Sequence, residues 1–115
     1  MADYALFVGW NRSVAGREQQ AMELFARVME YYGQLQYDGK IESFEPVILS
    51  NHGGDMNGFV LLRGDAAKLD EVRREEAFTN YSIEANFCLE NFGVIDGYIG
   101  DGITNVFSQW STHFS

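Results

Sequence analysis

A short glycine-rich break, His52-Gly53-Gly54-Asp55, divides the chain into two segments that each read as strand, helix, strand. Few folds accept that order. Two such units with right-handed crossovers, joined by a hairpin, give an α+β domain with all four strands in one antiparallel sheet, in the spatial order 4-1-3-2. The break also brings three loops to one end of the molecule: Trp10-Asn11-Arg12, His52 to Asp55, and Glu90-Asn91.

The strands support this order individually. Tyr4 to Trp10 and Gly58 to Leu62 are apolar on both alternating faces, as strands covered on two sides are. They belong at the centre. The second strand, Ile41 to Leu49, contains Pro46, which has no N–H to give to a ladder, so it belongs at an edge. Phe92 to Ile99 is the fourth strand.

Helical spacing runs from Arg17 to about Gln36, with Ala21, Phe25, Val28, Tyr32 and Leu35 on one stripe and Met22 and Met29 beside it. That stripe reads as core. Gly16 is the expected N-cap, and Glu18 suits the first turn because a negative charge there meets the positive end of the helix dipole. Asp65 caps the second helix. Its two apolar stripes, Leu69/Val72 and Ala77/Phe78/Tyr81/Ala85/Cys88, are offset across Arg73-Arg74-Glu75-Glu76, which predicts a kink or two helical pieces. Residues 1–100 thus make one domain. Residues 101–115 are an apolar tail expected to pack on this chain or on a partner chain.

Composition removes several classes of function. Eight Lys and Arg against seventeen Asp and Glu leave a net charge of −9, which a nucleic-acid backbone would repel and which gives no attraction to anionic membranes. Cys88 is the only cysteine, so neither an intrachain disulfide nor a cysteine zinc cluster is expected. No apolar run approaches the roughly 20 residues of a membrane span. The first strand begins by Tyr4, leaving no room for a signal peptide, and a cytoplasmic location is expected. Nine Phe, six Tyr and two Trp are generous for 115 residues and predict aromatic surface that is covered by a partner or a ligand.

The pattern of Gly9-Trp10-Asn11-Arg12, Gly16-Arg17-Glu18, Lys40 to Pro46, His52-Gly53-Gly54-Asp55 and Gly58-Phe59 resembles a bacterial family with no assigned reaction. That family is one of the stand-alone dimeric α/β-barrel proteins, of ferredoxin-like fold. The likeness covers residues 4–100. It implies a homodimer in which two sheets pair face to face, and this agrees with a first strand apolar in both phases. The wider superfamily holds cofactor-independent antibiotic-biosynthesis monooxygenases, haem-degrading oxygenases, muconolactone-isomerase-like enzymes and binding domains. The haem-degrading type carries a histidine on its second helix. Residues 65–89 contain none, and no cofactor is expected.

Trp10, Asn11, Arg12, Arg17, Glu18, His52 and Asp55 are expected to converge on a mouth between helices and sheet, as ligand-binding residues. His52 is the candidate acid/base, since imidazole titrates near neutral pH. It reads more readily as a solvated turn residue, and Asp55 as a turn former first and a charge partner second. Arg12 and Arg17 could clamp a carboxylate, or pair with surface acids. His52, Asp55 and His113 are the only plausible mixed metal ligands and do not make a site, so no metal is expected. Gly97 to Gly102 closes a strand rather than opening a helix, and it reads as the turn that releases the tail, not as a phosphate loop. Three functions follow in order: a homodimeric small-molecule-binding domain for a hydrophobic or aromatic compound, an assembly module, and a cofactor-independent monooxygenase-like enzyme.

Overall fold

The computed structural model describes residues 2–114. Its elements are β1 (Tyr4–Trp10), α1 (Glu18–Tyr37), β2 (Ser43–Ile48), β3 (Gly58–Gly64), α2 (Ala66–Arg73), α3 (Glu76–Cys88), β4 (Gly93–Tyr98) and α4 (Asp101–Phe114). The four strands form one antiparallel sheet in the order β2-β3-β1-β4. The doubly apolar strands are central and the proline strand is an edge, with Pro46 opposite Val60.

The helix breaks where the charged run predicts. Glu75 stands in extended conformation as the N-cap of α3, after α2 has ended at Arg73. Asp65 caps α2 by accepting from the Lys68 amide at 3.2 Å. At α1 the expectation of a Gly16 cap is off by one residue. Arg17 occupies the N-cap, and Glu18 reaches back to accept from the Gly16 amide at 3.3 Å. The tail is a helix of 14 residues, α4, which Gly102 and Val106 anchor as its buried positions.

Two apolar clusters hold the helices. The larger joins Leu6, Val8, Val60 and Leu62 of the sheet to Tyr32 and Leu35 of α1, Leu69 and Val72 of α2, and Phe78 of α3. The smaller joins Ala21 and Leu24 of α1 to Ala85 and Cys88 of α3, with no buried sheet residue among them. The α1 and α3 helices therefore seal against each other at that end without sealing against the strands. The apolar positions of α1 divide accordingly: Tyr32 and Leu35 of the stripe, and Leu24 beside it, are buried, while Phe25, Val28 and Met29 are only half-buried. On the far face of the sheet, Phe7 stacks on Phe59 with centroids 5.0 Å apart, beside Ala5, Leu61 and Ile95.

Candidate functional site

The gap between the small helical cluster and the strands is a cavity of about 460 Å³. Ala21, Met22, Leu24, Phe25, Val28, Met29 and Tyr32 of α1 form one wall, and Tyr81 and Ala85 of α3 a second. Val8, Trp10, Val60 and Ile48 form the floor, with Ser13, Leu89 and Phe92 at the end where the loops meet. This volume lies within the roughly 300–1,000 Å³ of small-molecule sites. No Asp, Glu, Lys, Arg, His or Cys is among the lining residues.

Trp10 ends β1 directly opposite Gly58. A Cβ at Gly58 would lie 2.7 Å from Trp10 Cζ2, so the absence of a side chain there lets the indole settle against β3. The ring then meets Phe25 edge-on, with centroids 6.1 Å apart. Tyr32 is 4% exposed and meets Phe44 edge-on, with centroids 5.8 Å apart. Burial alone pushes its phenol well above the ordinary tyrosine range, so it stays a neutral donor. Its hydroxyl takes no hydrogen bond from, and gives none to, any other described residue. With Ser13, Tyr81 and the Trp10 indole, it is one of the polar side chains of the lining.

The three loops do meet at one end. The Asn57 amide donates to the Trp10 carbonyl at 2.9 Å, the Asn11 amide to the Glu90 carbonyl at 2.8 Å, and the Glu90 amide to the Arg12 carbonyl at 2.8 Å. Of the seven residues expected in the mouth, Trp10 lines the cavity and the other six do not. Asn11 is buried in the loop junction with Oδ1 unpartnered. His52 is exposed and turns back onto its own hairpin, with Nδ1 3.0 Å from the Ser50 carbonyl oxygen. Asp55, Arg12 and Glu18 are exposed. Arg17 lies over the Phe87 ring on the outer surface, 5.7 Å from its centroid. Among the described residues no cluster of three or more His, Cys, Asp or Glu could hold a metal ion, and no helix is long and apolar enough to cross a membrane.

Sequence reasoning assigned Met22, Phe25, Val28, Met29 and Tyr32 to the core and so missed them as a lining. The available signal was their excess: α1 offers more apolar side chains than a four-stranded sheet of this size can cover.

No family model and no curated protein matches the sequence. Solved structures match the fold. A dimeric protein of unknown function and ferredoxin-like fold from Bacteroides fragilis superposes with a TM-score of 0.60 at 9% identity, over 84% of this chain and 96% of that one. PA3566 from Pseudomonas aeruginosa gives 0.60 at 17% identity, over 87% and 96%. SnoaB, a cofactor-independent oxygenase from Streptomyces nogalater, gives 0.52 at 16% identity, over 86% and 93%. At such identities the likeness is one of fold: the chain is a ferredoxin-like α+β domain.

Proposed function

We propose that this chain works as a homodimer that binds a small, neutral, hydrophobic or aromatic compound in the cavity between α1, α3 and the sheet. The observation that carries the reading is the cavity itself: an aromatic-lined space without a charged group, whose lining includes the Tyr32 phenol, free of hydrogen bonds to other described residues. A ligand with flat apolar surface and a single acceptor matches both features. A charged ligand would leave its charge without a partner among these side chains.

Self-association is supported by the apolar far face of the sheet and by the dimeric ferredoxin-like protein among the similar structures. Binding ranks above catalysis because the lining carries no group that exchanges a proton near neutral pH. The oxygenase among the neighbours shares the fold. Nothing in the lining itself calls for its chemistry.

Titration with naphthalene and its neutral derivatives, followed by tryptophan fluorescence, tests the reading. Trp10 should be quenched saturably, and Ala85→Phe, which places a ring inside the cavity, should remove the response. Equal responses from wild type and Ala85→Phe across the series would refute it.

A further inference from the structure

We infer that α4 is an exchange arm that seats Phe107, Trp110 and Phe114 on a second copy of this chain. The inference rests on the homodimer proposed above and names the element that secures it. Gly102 and Val106 face the chain's own body and are buried. Beyond Val106 every described residue of the helix is exposed. Ile103, Phe107, Trp110 and Phe114 follow one another at helical spacing, with Phe107 56%, Trp110 52% and Phe114 80% exposed. The Phe107 and Trp110 rings already lie together, with centroids 5.3 Å apart.

The radius of gyration, 15.5 Å, states the same fact for the whole chain. A compact chain of this length has about 13 Å. An arm bearing three aromatic rings projects from a body that cannot reach back to cover them.

Charge selects the occupant. From Gly102 to Thr112 the helix carries no charged residue, in a chain of net charge −9. A helix lying on a membrane would show Lys and Arg on its polar face, and this one has neither. A charge-free helix adds nothing to the repulsion between two copies of an acidic chain, and charged residues are depleted in interface cores.

A second copy is favoured over an unrelated protein because α4 follows closely on β4, and Ile95 of that strand and Ile99 just after it border the uncovered face of the sheet. Two-fold pairing of identical chains covers the sheet face and the arms in one operation. The sheet face alone is roughly 20 by 20 Å, from strand spacing and rise, and is short of the ~800 Å² per partner that stable complexes bury. The two arms extend that surface.

Sedimentation and fluorescence test this together on the full-length chain. In a Trp10→Phe background Trp110 is the only tryptophan. Its emission should move to the blue, and its quenching by acrylamide should fall, in step with the dimer fraction. Independently, Phe107→Ser with Trp110→Ser, both exposed in the lone chain, should weaken dimerisation by about ten-fold or more. If that double variant dimerises as tightly as wild type, the arm is wrong while the dimer stands. If wild type stays a monomer throughout, both are wrong. A Trp110 shift that requires lipid vesicles, or that occurs in the monomer, also overturns the arm.

Discussion

The Tyr31 hydroxyl donates to Glu75 Oε1 at 2.6 Å, tying the middle of α1 to the residue that starts α3. Lys40 Nζ binds the other carboxylate oxygen at 2.9 Å. Glu75 therefore fixes where α3 begins, and with it the wall of the cavity that Tyr81 and Ala85 provide. The Tyr31 hydrogen bond, ahead of Lys40, holds the Glu75 carboxyl below its ordinary range.

A pH dependence follows. A carboxyl whose pKa is depressed by folding stabilises the native state above its unfolded pKa, near 4.3 for glutamate, and loses that contribution as pH falls through the folded value. Tyr31→Phe should cost about 1 kcal/mol at neutral pH. Urea unfolding of wild type and variant should converge below about pH 4. A difference unchanged down to pH 3 would contradict the assignment.

Ala85 is packed in the small helical cluster and also borders the cavity, so the added ring of Ala85→Phe has the cavity to enter. The variant's melting temperature should match or exceed that of wild type, although enlarging a packed core residue normally costs about 1–3 kcal/mol. Calorimetry makes this check, and it separates blocked binding from unfolding.

Tyr32→Phe removes the donor and keeps the ring. Wild type should prefer 2-acetylnaphthalene, which offers a carbonyl acceptor, over naphthalene by about 3–10-fold, the worth of one hydrogen bond. The variant should bind both equally, with naphthalene affinity unchanged. An equal loss for both ligands would mean that Tyr32 acts only in packing.

Gly102 lies against the backbone of Asp3: a Cβ there would fall 2.0 Å from the Asp3 carbonyl oxygen. Neither group can yield without moving the start of α4. Gly102→Ala should therefore unseat the helix from the domain and leave the sheet intact. Hydrogen exchange should accelerate across 102–110 and stay slow in β1 and β3.

Much of this was readable beforehand because it rests on local rules. Pro46 belonged on an edge strand, and Tyr4 to Trp10, apolar in both phases, belonged at the centre of the sheet. The offset between the two apolar stripes implied a kink or a break across the charged run, and Glu75 marks the break. The residues lining the cavity were less legible. A half-buried Met29 or Phe25 carries the same periodic signal as a packed Leu35, and only the separation of the two clusters distinguishes them. His52 shows the opposite limit: its hydrogen bond to the Ser50 carbonyl is a matter of turn conformation, which residue type alone does not settle. The tail was recognised as apolar. Its helix was not, because Ser, Thr and Asn dominate between the aromatic positions and favour helices only weakly.

Methyl-carbon NMR of the methionines reports whether a ligand enters the cavity. Met22 and Met29 line the cavity, whereas the Met56 methyl lies on the far side of the sheet, about 3.5 Å from where a Cβ of Gly9 would be. On titration with 2-acetylnaphthalene, the Met22 and Met29 resonances should shift saturably together while Met56 holds still. Movement of Met56 alone, or no movement at Met22 and Met29 at any ligand concentration, would mean that the cavity is not the binding site.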